Sequence, residues 1–328
     1  MQRTNLARVL RTAGLGAAAM LGLCGVASSA YPDRPVKIVV PFAAGGPADI
    51  LGRLVAHGLA SRLKATVIVE NKPGGGGNIG TAQAARADAD GYTLVIGYIG
   101  PFAVNPSLYK NPGFDPIKDF SPVALLATSP LVLVTRPGLG ADSVAGLIDM
   151  ARTRKPALTY ASGGVGSANH LAGELFKAAA GIDLVHVPYQ GIAPATTDLL
   201  GGQTDLMFNG ISSVLPHIKA GKLQALAVTT SSRLASLPGV KTMEEAGVKP
   251  FDVAAWFGLL APRGTPPAVL DTLERAVRDT MMSDEASQRL AATGLERRLM
   301  SQAEFGKFIG SELKVWSAVV RNSGASAD

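Results

Sequence analysis

The chain has 328 residues, 47% hydrophobic and only 17% charged, a globular composition long enough for two ordinary domains and unlike that of a disordered chain. The formal net charge is +6, but three of the 31 basic residues, Arg3, Arg8 and Arg11, lie in the first thirty positions, and the remainder carries only +3. So balanced a surface argues against a nucleic-acid partner.

Positions 1–30 read as a signal peptide: three arginines, an apolar stretch from Ala13 to Val26, then "ASSA". Ser28 and Ala30 supply the small residues that a signal peptidase reads, so cleavage is expected after Ala30 and the protein is expected in the periplasm. Cys24 follows Leu23, where lipidation needs a small residue, so no lipid anchor is expected. The sole cysteine leaves with the signal, which removes disulfide and thiol chemistry from the mature chain. No later run of about 18 apolar residues follows that would span a membrane.

From Val36 onward short β-branched runs alternate with helical periods. They read VKIVV, helix 48–64, TVIVE, helix 78–87, YTLVIGY, and, further on, ALTYAS, helix 168–180, DLVHVPY, helix 194–201, TDLMF, helix 212–220 and LQALAVTT. In the first helix Leu51, Leu54, Val55, Leu59 and Leu63 form one stripe, with Arg53, His57 and Arg62 off it. The alternation predicts an α/β fold with mainly parallel sheets flanked by helices. It breaks twice. "SPVALLATSPLVLVTRP" (121–137) reads as two strands in succession, and "FDVAAWFGLLAPRGTP" (251–266) as one long extended run. Two breaks fit a chain that crosses to a second domain and returns: domain I is 31–127 plus 252–328, domain II is 128–251, and helices 267–282, 284–293 and 302–321 pack back on domain I. Thr265, Ser301, Ser167 and Asn78 are candidate helix starts, and Pro47 and Pro194 suit first turns. Asp49 and Asp198 are read as carboxylates near helix starts.

In open α/β sheets ligands sit beyond the carboxyl ends of the strands, where loops lead into helix N-termini. Glycine recurs there: "PFAAGGPAD", "NKPGGGGNIG", "GYIGPF", "ASGGVGSANH" and "PYQGIAPATTD". Gly46 and Gly164 are expected where the backbone approaches a ligand or takes a positive φ. No Arg or Lys falls in 41–50, 97–107, 159–171 or 187–198, so several helix starts would make a neutral cradle for a carboxylate or similar anion. Taken singly, each such loop reads first as a tight turn; it is the recurrence of five that points to a ligand.

Catalytic and metal motifs are missing. "PGGGGNIG" lacks the Lys-Ser/Thr of a P-loop, and "GVGSANH" does not give the G-x-S-x-G of a nucleophile elbow. Ser167 beside His170 reads first as a cap and a surface imidazole. His57, His186 and His217 read as helix-face, strand and helix residues, and the four histidines have no metal-site spacing. Neither metal nor cofactor is expected. Phe42, Tyr98, Phe102, Tyr189 and Trp256 read as core or cleft wall.

The runs "YPDRPVKIVVPFAAGGPAD", "VENKPGGGGNIG", "SGGVGSANHLAGELF", "VPYQGIAPATTDLLGGQTDLMF" and "WFGLLAPRGTP", in this order along the whole mature chain, resemble the Bug receptors, the extracytoplasmic solute-binding proteins of tripartite tricarboxylate transporters. The resemblance implies a two-lobed periplasmic binding protein of type II-like fold, its cleft between the lobes, closing on a small carboxylate as a monomer. It is then delivered to membrane permease subunits or read by a sensor. It also implies that Phe42, Ala43, Ala44, Gly45, Gly46, Ala48 and Asp49, with Ser162, Gly163, Gly164, Ser167 and His170, grip the proximal carboxylate, partly through ordered water. Tyr98, Tyr189, Gly191, Ala193 and Asn209 would shape the rest of the pocket. Two positions depart from the pattern: Ala48 stands where threonine is frequent, and Tyr98-Ile99-Gly100 where small hydroxyl residues are. Both bear on which acid is bound. The competing class is a periplasmic hydrolase or transferase using Ser162, Ser167 and His170.

Overall fold

In the computed structural model residues 31–323 are described, apart from Gln190, Ala235, Pro250, Asp252 and the side chains of Asn322 and Ser323. The expected signal peptide, its cleavage point and Cys24 lie outside the described residues. None of the described helices is long and apolar enough to cross a membrane.

Strand β1 (Val36–Val40) sits between β2 (Val67–Asn71) and β3 (Thr93–Tyr98), parallel to both. Helix α1 (Pro47–Leu63) joins β1 to β2 and buries Leu51, Leu54, Val55 and Leu59, while Arg53, His57 and Arg62 stay exposed, as the sequence period requires. Helix α2 (Asn78–Ala85) returns the chain to β3. Gly77, not Asn78, caps α2; Asn78 is buried one residue inside and accepts from Asn105 Nδ2 at 2.7 Å. A π-helical turn at Gly100–Val104 and the short α3 (Asn105–Leu108) follow β3.

The stretch expected to form two strands is one, β4 (Phe120–Thr135). Its first part pairs antiparallel with β9 (Ala254–Pro262) and β10 (Glu296–Met300); from Leu131 it pairs antiparallel with β7 (Leu206–Gly210), and from Val132 with β8 (Gln224–Val228). Pro130 marks the exchange of partners. Lacking an N–H, it is tolerated where one ladder stops and the next begins. In the second half β5 (Thr159–Ser162) lies between β6 (Val185–Pro188) and β7, parallel to both. The helices here are α4 (Val144–Thr153), α5 (Ala168–Ala180), α6 (Ile192–Leu200) and α7 (Ile211–Lys219). Each half is thus a parallel three-stranded core bordered by antiparallel strands, and β4 runs through both. The chain returns to the first half at Val253, which exchanges hydrogen bonds with the fully buried Thr229 just after β8; Thr229 is bonded in turn to Leu131 of β4.

The C-terminal segment adds α8 (Pro267–Met281), α9 (Asp284–Thr293) and α10 (Gln302–Ser323), which pack against α1, β10 and β4. Ser301 and Glu304 form a reciprocal capping box at the start of α10. Helix α10 is fastened to the sheet by Glu312, whose Oε2 accepts from Trp256 Nε1 at 2.8 Å and Trp316 Nε1 at 3.0 Å. Both indoles are buried, and their donors need such a partner.

Candidate functional site

The strand orders β2-β1-β3 and β6-β5-β7 each reverse the direction of winding at their central strand. A reversal splays the flanking helices apart and opens a crevice beyond the carboxyl end of that strand. The loops that leave β1 and β5 are the two glycine-rich turns singled out above. Between the two halves lies a cavity of about 840 Å³.

Four helix starts reach this cavity: Gly46, Pro47 and Ala48 of α1, Ala168 and Asn169 of α5, Ile192 and Ala193 of α6, and Gly210, Ser212 and Ser213 of α7. Gly46, Gly191 and Gly210 are the N-caps of α1, α6 and α7, and none contributes a side-chain cap. The first-turn amides of three helices therefore keep their hydrogen-bonding capacity and their positive dipole ends. The remaining wall is Phe42, Ala43, Ala44, Tyr98, Ser129, Leu131, Asn209, Ala255 and Phe257. Among the described residues no Asp, Glu, Lys, Arg or His lines it.

Gly45 and Asp49 stand behind this wall. Asp49 Oδ2 accepts from Gly45 N at 2.9 Å and Arg53 Nε at 3.0 Å, and its Oδ1 from Asn71 Nδ2 at 2.9 Å. Burial alone would raise its carboxyl, but the bonds from Arg53, Gly45 and Asn71 outweigh burial and hold it below the usual range. Asn71 also donates to the Phe42 carbonyl at 3.1 Å, so one buried carboxylate fixes both ends of the loop. The glycine with positive φ is Gly45 (87°); Gly46 is extended at φ −82°.

The second turn is likewise held from behind. Ser162 is fully buried, lies 2.7 Å from His186 Nε2, accepts from Gly164 N at 3.1 Å and donates to Gly164 O at 3.2 Å or to the ring. Ser167 caps α5 by accepting from His170 N at 3.3 Å. His170 is buried rather than on the surface, and its Nδ1 accepts from Gly166 N at 3.2 Å. Its ring lies 4.2 Å from that of His186, which stacks on Tyr160 at 4.8 Å. Burial, then the neighbouring His170, pulls the His186 imidazole down to about 4; burial also lowers His170. Both are neutral at pH 7. The serine that meets a histidine side chain is therefore Ser162 with His186, not Ser167 with His170, and its hydroxyl is enclosed and committed to the loop. Ser162, Gly163, Gly164, Ser167 and His170 do not line the cavity; Ala168 and Asn169, which follow them, do.

On the opposite side Phe42 packs edge-on against Tyr98, with centroids 5.2 Å apart, and Tyr98 against Phe257 at 5.1 Å. Burial pushes the Tyr98 phenol up to about 12, so it stays protonated. Tyr189 and Gly191 stand off the cavity, Tyr189 donating to Asp198 Oδ2 at 2.8 Å. Asp198 lies in the last turn of α6, not at a helix start. Phe102 and Trp256 are buried core. Among the wall residues that the sequence did not single out, Ser129, Leu131, Ala255 and Phe257 come from the middle or start of β4 and β9, where apolar runs read as core, and Gly210, Ser212 and Ser213 from the turn into α7, while Ala168, Asn169 and Ile192 lie within the glycine-rich runs without having been named. Among the described residues no three His, Cys, Asp or Glu side chains gather as metal ligands.

The model of the Tripartite tricarboxylate transporter family receptor, TctC, matches residues 51–325. Protein BugT of Bordetella pertussis is 36% identical over 98% of this chain and 99% of its own length. Among solved structures, R. palustris Rpa4515 with adipate has a TM-score of 0.78 at 36% identity, covering 90% of this chain and 99% of that one. MatC from Rhodopseudomonas palustris with bound malate has a TM-score of 0.74 at 32% identity, covering 88% of this chain and 100% of its own. These likenesses establish the two-lobed, type II-like architecture. With sequence, fold and cleft in agreement over most of its length, the chain belongs to the tripartite tricarboxylate transporter receptor family, whose members are solute-binding receptors.

Proposed function

We propose that this receptor binds a small carboxylate-bearing metabolite in the cavity between its lobes and delivers it to the membrane permease of a tripartite tricarboxylate-type transporter. The observation that carries the reading is the convergence of three glycine-capped helix starts on a cavity whose wall, among the described residues, holds no ionic side chain. Free amides at the positive ends of helix dipoles stabilise one carboxylate and leave no excess charge when it departs. The adipate and malate of the two solved relatives are acids of this class. The wall residues Phe42, Ala43, Ala44, Gly46, Ala48, Tyr98, Ala193 and Asn209 touch ligand on this reading. Gly45, Asp49, Ser162, Gly163, Gly164, Ser167, His170, Tyr189 and Gly191 position the loops that do. The lobes are 31–127 plus 252–328 and 128–251, and the protein acts as a periplasmic monomer after cleavage behind Ala30.

Calorimetric titration of protein stripped of co-purified ligand with adipate, malate, citrate and 3-phenylpropanoate tests the reading. At least one acid binds, and its affinity changes little between low and high salt, because enclosed neutral donors are weakly screened. Absence of binding by all four, or a steep loss with salt that reveals a Lys or Arg clamp, refutes it.

A further inference from the structure

Tyr98 closes β3 and lines the cavity from the first half of the molecule. Its ring is clamped. Phe257 faces it across the β3–β9 ladder with centroids 5.1 Å apart, Phe42 packs edge-on at 5.2 Å, and a Cβ added at Gly100 would sit 3.4 Å from its Cδ1. The hydroxyl at the end of this ring is free. Burial alone acts on its ionisation, with no hydrogen bond or charge from the protein beside it. The residue is only half-buried, and its oxygen is not one of the enclosed atoms without a partner, so it keeps accessible surface. The hydroxyls of Tyr160 and Tyr189, by contrast, donate to Glu174 and Asp198.

An open donor held rigid at a cavity wall bonds water until a ligand displaces it, and a ligand with no acceptor at that place forfeits the bond. A phenol donates better than it accepts, because its oxygen lone pairs are delocalised into the ring. The helix starts leave Tyr98 for the far end of the acid. The first turn of α1 already holds the Asp49 carboxylate, whereas the first turns of α6 and α7 hold no acid and draw a ligand carboxylate to the second half.

We infer, on the basis of the carboxylate reading above, that Tyr98 is a specificity-determining residue whose hydroxyl donates to an oxygen acceptor at the far end of the bound acid. The receptor therefore selects acids that carry a second oxygen group, a carboxylate or a carbonyl, over acids that end in hydrocarbon. The body of the acid between the two groups lies on Phe42 and Phe257.

The test titrates the ligand-free receptor with matched acids: adipate and 5-oxohexanoate against hexanoate, and benzene-1,4-dicarboxylate against 4-methylbenzoate. In at least one pair the acid with the second oxygen group binds at least about tenfold more tightly, the equivalent of a hydrogen bond between a neutral and a charged group. Tyr98→Phe keeps the ring and its packing and shrinks that ratio about tenfold, so the loss falls on the pair rather than on both acids alike. Tyr98→Leu, checked for native thermal unfolding, serves the same purpose should the phenylalanine variant not fold. Binding without preference in any pair, or a preference that survives in the variant, overturns this inference and leaves the carboxylate receptor standing. Failure of all five acids overturns it too, and the carboxylate reading with it where malate, citrate and 3-phenylpropanoate also fail to bind.

Discussion

Asp49 fixes the loop after β1 from behind, so its charge supports the cavity wall without lining it. Asp49→Asn keeps the shape but loses a charged acceptor shared by Gly45, Arg53 and Asn71, and costs about 1.5–3 kcal/mol at pH 7. Its folded-state carboxyl titrates below the unfolded value of about 3.9, so this stability is complete above that value and fades as pH falls through the folded one. Chemical denaturation of wild type and variant should converge in strong acid and differ at neutrality. The two loop glycines separate backbone strain from steric blockage. At Gly46, φ is −82° and an added Cβ would have no neighbour nearer than 3.9 Å, so Gly46→Val keeps its melting temperature and loses affinity by covering the α1 amides. At Gly164, φ is +117° and the added Cβ would lie 3.2 Å from the Tyr189 carbonyl, so Gly164→Ala lowers stability by about 1–2 kcal/mol. Equal melting temperatures for the two variants would contradict this division.

Between elements, the neutral stack of Tyr160, His186 and His170 ties β5 and β6 to α5, with the Tyr160 hydroxyl donating to Glu174, whose carboxylate also accepts from Lys177 Nζ. Because His186 titrates near 4 when folded and near 6.5 when unfolded, the unfolded state binds more protons between these values. Stability therefore rises with pH across that window, and falls by at most about 3 kcal/mol from His186 as pH drops from 6.5 to 4. Denaturant midpoints between pH 4 and 7 should fall less steeply for His186→Asn than for wild type. Parallel curves would mean that the ring ionises freely in the fold. Ser162 would lose its imidazole partner in the same variant, so the turn ahead of α5 also becomes less ordered.

At the scale of the molecule, the chain passes between the halves along β4 at Pro130 and again at Val253, whose N–H donates to the Thr229 carbonyl, and hinge closure about these two crossings is the predicted response to ligand. The halves also touch at Gly294 after α9, which lies against Ser212 of α7. Gly294 has φ +64°, and an added Cβ would sit 2.6 Å from Ser212 Cβ and 3.0 Å from its amide nitrogen. Gly294→Ala therefore presses the two halves apart at Ser212, itself a residue of the cavity wall. A ligand must then supply more of its differential affinity to close them. Small-angle scattering should show a larger radius of gyration for the variant, and titration a weaker affinity for whichever acid wild type binds. An unchanged profile with unchanged affinity would show that this contact does not govern closure.

Much of this architecture is written locally. The apolar stripe of α1 and the limits of α5 and α9 follow from side-chain period and capping residues, which act within a few positions of one another. The same holds for the glycine turns after β1 and β5, because a strand-to-helix turn makes its demand on the residues that form it. The sequence could not say that 121–137 is a single strand, since continuity at Pro130 depends on β9 leaving and β7 arriving as partners. It could not pair Ser162 with His186, which parallel registration of β5 and β6 brings together across 24 residues. Nor could it separate Phe257 and Leu131 from the core they resemble. Period and turn chemistry are properties of neighbours along the chain, whereas a cavity wall is made by register and packing between segments that meet only once the fold has closed.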